Sequence, residues 1–390
     1  MTTARIYLDH NATSPVRPEA ARAVARALIR GGNPSSVHAE GRKAQAGLEE
    51  SREAIAEFVG GLARNVTFTS GATESLNLLL TPSLKDGADE RPWRLFMSAT
   101  EHPAVLRGHR FPAESAEILL VGANGVIDLD KMASAFAAHP GTRPLVALQL
   151  ANNETGVLQP VPAAAEIVKQ HGGILVCDAV PAAGRVPVEL SALGADVVVL
   201  SGHKLGAPAG IGAFVRAKEA LHVPDPLIRG GGQEKGLRGG TENISGAAGF
   251  AAASKAAQSR FEEETTRLQN LRDRLEDGLR AIDAEVVIFG SGAERLPNTV
   301  CFAFSGAASQ TALIALDLAG VAVSAGSACS SGKSKPSHVL EAMGVSDDIA
   351  RRMLRASMGW NTTEKHVETF LEVLTRVRAN SAPVGKVLAA

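Results

Sequence analysis

Residues 195–212 run ADVVVLSGHKLGAPAGIG, and the fold turns on how they are parsed. Val197 to Leu200 is a β-branched apolar run of strand length, and it stops at Ser201-Gly202-His203-Lys204 before a glycine- and proline-rich turn. A lysine therefore stands at a strand end. In a protein of alternating strands and helices, ligands bind at strand ends, and a lysine held there among small polar residues can lose its proton and attack a carbonyl. A solvated lysine at the start of a loop explains the same segment equally well. Asp178 tips the balance, because it follows an earlier apolar run over residues 173–177. An acid at one strand end and a lysine at a later one is the pair that pyridoxal phosphate requires. The lysine makes the Schiff base, and the acid keeps the pyridine nitrogen protonated.

Working back from this segment, residues 65–70 alternate as a strand does and lead through Gly71-Ala72-Thr73-Glu74 into an apolar helix over 75–80. A strand, a glycine, a hydroxyl residue and a helix N-terminus together offer free N–H groups and a positive dipole end to an anion such as phosphate. Glycine and threonine also serve merely as caps in such turns. Residues 95–98 form another strand ending near His102, and 145–150 a third, running into Asn152-Asn153-Glu154; a helix over 161–170 leads to the Asp178 strand. The alternation from 65 to 215 predicts a largely parallel sheet covered on both faces. Upstream, helices are expected over 19–30 and 40–59, separated by a turn-forming run, Gly32-Asn33-Pro34-Ser35-Ser36-Val37-His38.

Downstream, residues 229–243 are dense in glycine with interleaved Arg, Lys, Thr and Asn, which suits an anion-contacting or intersubunit loop better than a core element. One long helix is expected from 244 to about 282. Strands over 286–289, 299–304 and 353–358, a helix near 310–318 and a final helix over 363–378 follow, the last opened by a capping-box pattern at Asn361-Thr-Thr-Glu364. The expected division is a large domain of residues 15–255 and a smaller α+β domain of residues 1–14 and 256–390.

At 390 residues, 45% hydrophobic and 21% charged, the chain has the composition of an ordinary globular protein. Its formal net charge of −1 gives no electrostatic case for nucleic acid or an anionic membrane as partner. The N-terminus has no apolar signal-like run and no segment reaches the roughly 20 apolar residues of a spanning helix, so a cytoplasmic protein is expected. The three cysteines form no CxxC pair and no metal-ligand spacing. Cys177 and Cys301 lie in apolar runs and are expected to be buried. Cys329 lies in a polar Gly/Ser-rich loop, where a thiol has little packing role.

Seven ordered motifs, YLDHNAT, GNPSSVH, TSGATES, TEH, NNETG, SGHK and GSACSSG, together resemble those of a cysteine desulfurase of the NifS/IscS kind, over a span from about residue 6 to the final helix. The resemblance implies an α/β, type I pyridoxal 5'-phosphate-dependent transferase fold of the aminotransferase class V form, with a mostly parallel sheet flanked by helices. It also implies a homodimer that converts L-cysteine to L-alanine and leaves the sulfur as a protein persulfide, for an iron–sulfur scaffold or a transfer-RNA thiolation enzyme to accept. Carried over by position, Lys204 resembles the Schiff-base lysine, Asp178 the partner of the pyridine nitrogen, and His102 the histidine that stacks on the ring and moves protons. Ala72, Thr73, Ser201 and His203 fall on phosphate-binding positions, and Thr241 on one that reaches the neighbouring subunit's phosphate. Asn153 aligns beside the cofactor's phenolic oxygen, Asn33 and Arg355 with a substrate-carboxylate clamp, and Cys329 with the persulfide-forming nucleophile of the group I arrangement.

One departure stands out. The family places a glutamine that donates to the phenolic oxygen three residues after the acid, whereas this chain has Pro181, which offers neither a side-chain amide nor a backbone N–H. Weaker cofactor binding or a shifted Schiff-base pKa is the expected consequence. Two other readings stay open from sequence: a selenocysteine lyase or other class V enzyme, and a non-catalytic relative acting as an interaction partner.

Overall fold

The computed structural model describes residues 5–87, 89–305, 309–325 and 337–381. A seven-stranded sheet forms its centre, made of β1 (Val66–Thr69), β2 (Trp93–Ser98), β3 (Ala116–Leu119), β4 (Arg143–Gln149), β5 (Ile174–Asp178), β6 (Val197–Ser201) and β7 (Gly212–Arg216). The spatial order is β1-β7-β6-β5-β4-β2-β3. β7 runs antiparallel to both neighbours, and every other pairing is parallel. Six strands therefore deliver their C-terminal ends to one edge, which is where Thr69, Gln149, Asp178 and Ser201 come together.

Near-continuous apolar strands make sense only if both faces are covered, and the side chains divide accordingly with a period of two. Val198 and Leu200 of β6, Leu175 and Cys177 of β5, and Val146 and Leu148 of β4 enter one core. Their neighbours Val197 and Val199, Ile174 and Val176, and Leu145 and Ala147 enter the other. Helices Ala39–Phe58, Val161–Gln170 and Ile244–Ser259 close the first face, and helix Ala72–Leu79 helps close the second. A four-stranded antiparallel sheet, Val287–Ile288, Thr299–Ala303, Met353–Ser357 and Ser324–Ala325, carries a third core under helices Phe261–Ile282 and Glu364–Ser381.

The long helix expected over 244–282 is two helices, Ile244–Ser259 and Phe261–Ile282, parted at Arg260 with φ −118° and ψ 18°. The first half buries Ala247, Phe250, Ala253 and Ala257 on the central sheet, while the second sends Leu268, Leu271, Leu275 and Leu279 into the third core. One straight helix cannot serve two cores that lie in different directions. The helix expected from 75 starts at Ala72, because Glu74 folds back to accept the Ser70 N–H at 2.8 Å and steadies the first turn. The final helix starts at Glu364, with the His366 ring, not Glu364, accepting the Thr363 N–H at 3.3 Å. The capping box at 361–364 is thus shifted in register.

Residues 229–243 also hold a surprise. Glu234 is buried, pairs with both ends of the Arg52 guanidinium at 2.8 and 2.9 Å and accepts the Phe68 N–H at 2.9 Å, pinning this glycine-rich segment to β1. Cys177 and Cys301 are fully buried, and burial pushes both thiols well above the ordinary range. Among the described residues no helix is long and apolar enough to cross a membrane.

Candidate active site

At the edge where the parallel strands end lies a cavity of about 480 Å³. Lys204 enters it from the short helix Gly202–Leu205 that continues β6. Its Nζ donates to the main-chain oxygen of Asn11 and, at 2.9 Å, to that of Ala12, so the N-terminal segment closes one wall. Asp178 sits at the end of the adjacent β5, buried, with Oδ1 accepting the Val180 N–H at 2.9 Å. Burial raises its pKa to about 6, against the downward pull of that hydrogen bond and of Lys204. At neutral pH it is an anion able to hold a cationic nitrogen.

Gly71, Ala72 and Thr73 line the same cavity at the start of helix Ala72–Leu79, whose N-cap glycine has no side-chain cap to offer the first turn. Unsatisfied N–H groups at a helix N-terminus suit an anion. Ser201 and His203 border this corner, the His203 ring being 3.2 Å from the Thr13 hydroxyl. Burial, and then Lys204, lower the pKa of His203 to about 4. A lysine, an acid and an anion cradle in one enclosure are the donor set that pyridoxal phosphate needs, and the fit is good.

His102 lines the cavity as well. Burial lowers its pKa to about 4, helped by Lys204 and His338, so the ring is neutral. Its Nδ1 accepts the Ala104 N–H at 3.1 Å. Arg355, on strand Met353–Ser357, donates from Nη1 to the Asn153 oxygen at 3.0 Å and from Nη2 to Asp9 Oδ1 at 2.7 Å, while its buried Nε has no hydrogen-bond partner among the described residues. Asn153 and Pro181 also line the cavity.

Two expected site residues lie elsewhere. Asn33 is exposed, with its side-chain oxygen taken by the Ser35 N–H at 2.9 Å, and Thr241 is exposed as well; neither lines this cavity. Cys329 falls outside the described residues. Among the described residues no cluster of His, Cys, Asp and Glu could hold a metal ion. Sequence reasoning passed over His338 and Glu101. His338 lines the cavity at the start of helix His338–Ala342, and Glu101 is wholly buried beneath it, its carboxyl raised well above the usual range by burial. Glu101 lies inside the TEH motif but was given no role there, and no motif marked His338, because what each one touches is distant in sequence.

The family model for aminotransferase class-V matches residues 6–370. A cysteine desulfurase of Frankia sp. (strain EuIK1) is 38% identical over 95% of this chain and 90% of its own length. An IscS-like cysteine desulfurase of Mycobacterium tuberculosis is 37% identical, over 94% and 95%. The solved structure of a NifS-like protein from Rickettsia africae superposes with a TM-score of 0.87 at 32% identity, covering 96% of this chain and 99% of that one.

Proposed function

The chain belongs to the aminotransferase class-V family, and from that premise we propose that it is a cysteine desulfurase, converting L-cysteine to L-alanine and passing the sulfur to Cys329 as a persulfide. The observation that carries this reading is the meeting of Lys204, Asp178, His102 and the open N-terminus of helix Ala72–Leu79 in a single cavity. Pyridoxal 5'-phosphate, when bound, supplies an electron-accepting ring that labilises bonds at the substrate's α-carbon.

The chain's own residues do the rest. Lys204 holds the cofactor by its amine and, once exchanged for substrate, can move the α-proton. The Asp178 carboxylate would keep the ring nitrogen protonated, while Ala72, Thr73, Ser201 and His203 would hold the phosphate. Asn153 would stand beside the phenolic oxygen, and the neutral His102 ring would pack against the cofactor ring. Arg355 would take the substrate carboxylate, as a guanidinium lining the cavity whose Nε has no hydrogen-bond partner among the described residues. Asn33 remains its proposed partner in that clamp, although in the single chain it does not line the cavity. The Cys329 thiolate attacks the substrate sulfur; the S–S bond forms, the C–S bond breaks, and its electron pair stays on the carbon that becomes the methyl group of alanine. A homodimer, with Thr241 reaching a partner's phosphate, a cytoplasmic setting, and an iron–sulfur scaffold or transfer-RNA thiolation enzyme as acceptor belong to the same proposal. So does the division into residues 15–255 and the remainder, which the separate core under the four-stranded sheet supports.

Incubating the purified protein with cysteine and measuring alanine and sulfide together tests the reading. Cys329→Ser is expected to keep the cofactor's absorbance and lose sulfide release, and Lys204→Ala to lose the absorbance of the bound cofactor. A serine variant turning cysteine over at the parental rate removes Cys329 from the reaction. Turnover of selenocysteine alone would instead mark a selenocysteine lyase.

A further inference from the structure

The helix Gly202–Leu205 that carries Lys204 is four residues long, so it satisfies few of its own carbonyls. The donors that meet the rest come from outside it. The His203 oxygen accepts the Ser14 N–H at 2.9 Å, the Leu205 oxygen accepts from Arg17 Nε at 3.0 Å, and the Gly206 oxygen accepts the Arg17 N–H at 2.8 Å. The Lys204 oxygen accepts from two side chains, the Ser14 hydroxyl at 3.0 Å and Arg185 Nη2 at 3.4 Å. Ser14 and Arg17 belong to the N-terminal segment whose carbonyls also meet the lysine amine. Of these donors only Arg185 comes from the other side, from the turn that follows Asp178.

Arg185 is buried, and its other terminal nitrogen, Nη1, donates to the Pro181 oxygen at 3.2 Å and to the Ala183 oxygen at 3.4 Å. One planar guanidinium therefore joins the main chain just beyond the acid to the main chain at the lysine. The two segments also pack closely. Gly184 has a φ of +72°, and a Cβ there would stand 2.6 Å from Leu205 Cδ2. Burial, and then Arg17, lower the pKa of Arg185 to about 10, which leaves it a cation at neutral pH. Glu264 attracts it, but both Glu264 oxygens are held by the Arg17 guanidinium, at 2.8 and 2.6 Å. Burying a cation against main-chain oxygens, with the neighbouring carboxylate already engaged, costs stability. What Arg185 holds in place explains it better than what it adds to folding.

We propose that Arg185 is a positioning residue, setting the spacing between the Lys204 amine and the Asp178 carboxylate by fastening the turn after one to the helix that carries the other. It does not line the cavity, so it acts through the main chain and not by touching substrate or cofactor. The proposal rests on the pyridoxal phosphate reading of the cavity, because there the spacing matters. Asp178 and Lys204 would grip opposite parts of one rigid ring, and a misplacement of about 1 Å is enough to cost about 100-fold in rate.

Arg185→Met removes the link and leaves every cavity-lining side chain unaltered. In the cofactor-free variant, hydrogen exchange at the Ser14 and Arg17 amides, which the lysine's helix holds, is expected to quicken at least ~10-fold while the β5 and β6 amides keep their protection. With pyridoxal phosphate bound, borohydride reduction followed by peptide mapping reads how much of it is joined to Lys204. That fraction is expected to fall severalfold at equal total cofactor bound. The kcat for alanine formation is expected to fall by about 100-fold with KM for cysteine unchanged. Arg185→Lys keeps the buried charge but has no planar fork to span both segments, so it is expected to show the same defects in milder form, and it decides the matter if Arg185→Met does not fold. Parental trapping on Lys204 or parental kcat in a folded variant overturns the proposal. So does a parallel loss of cofactor binding and of β5 and β6 protection, which marks a purely structural role. If the parent itself traps no cofactor on Lys204, the pyridoxal phosphate reading falls and this one with it; if the parent does and the variants match it, only this one falls.

Discussion

Gly212 and Gly71 meet backbone to backbone at the edge of the sheet: a Cβ on Gly212 would stand 2.6 Å from the Gly71 Cα and 2.7 Å from its carbonyl carbon. Gly212 opens β7 and pairs with Thr69 on one side and Ser201 on the other, so the loop before helix Ala72–Leu79 must cross over it. No flexible side chain can yield there. Gly212→Ala is expected to displace the phosphate-facing loop, weakening cofactor binding at least ~10-fold, with a stability loss of about 1–3 kcal/mol typical of overpacking. Cofactor dissociation followed by absorbance, alongside thermal unfolding, checks both; unchanged binding would show that the loop tolerates the shift.

Arg355 faces Asp9 across a nearly buried ion pair at 2.7 Å, and among the described residues one guanidinium nitrogen, Nε, has no hydrogen-bond partner. Arg355→Lys keeps a cation beside Asp9 but loses the planar fork. Losing a charge-assisted hydrogen bond of about 2 kcal/mol raises KM for cysteine roughly 30-fold while cofactor absorbance persists. A steady-state comparison in which KM does not move assigns the substrate carboxylate elsewhere.

The buried titratable groups make opposing contributions to acid stability, and single variants separate them. His10 is fully buried and its pKa is lowered to about 3, by burial first and then by Arg185. Between pH 6.5 and 3 the unfolded chain binds the proton that the folded one refuses, so this histidine costs stability as pH falls, roughly 5 kcal/mol over the full window. Asp178, raised to about 6 by burial, has the opposite sign: its contribution is fully present below about pH 4 and is lost as pH rises through 6. In urea titrations of cofactor-free protein, the parent is expected to lose stability relative to His10→Gln between pH 6.5 and 4, and to gain it relative to Asp178→Asn. A pH-independent difference for either pair contradicts the assignment.

Pro181 lines the cavity, and its carbonyl accepts from the buried Arg185 at 3.2 Å. Pro181→Gln places an amide where the phenolic oxygen of the cofactor is proposed to lie, and about one hydrogen bond's worth of tightening, ~5- to 10-fold in cofactor affinity, is expected together with a shifted spectral pH titration. Indistinguishable dissociation and titration curves dispose of the idea that proline weakens this site.

What could be known from sequence was what is local. The runs ending at Asp178 and at Ser201-Gly202-His203-Lys204 declare themselves because strand length, β-branching and turn residues are properties of neighbours along the chain. β3 escaped notice for the same reason in reverse: at the sheet edge its Ile118 is exposed, and Ala-Glu-Ile-Leu carries no strong alternation. The break at Arg260 was invisible too, since both flanking halves favour helix equally and only the cores they meet differ.

The amino-acid sequence by itself thus determined the alternating architecture and singled out the lysine, acid and histidine that line the cavity, because those follow from periodicity and from motifs contiguous in the chain. Tertiary structure alone decided what the His338 ring meets and what holds the Lys204 amine. Those depend on partners such as the Glu101 oxygen, 237 positions from His338, and the Asn11 oxygen, 193 positions from Lys204. No local rule brings groups so distant along the chain within hydrogen-bonding range; the packing of one layer on another does.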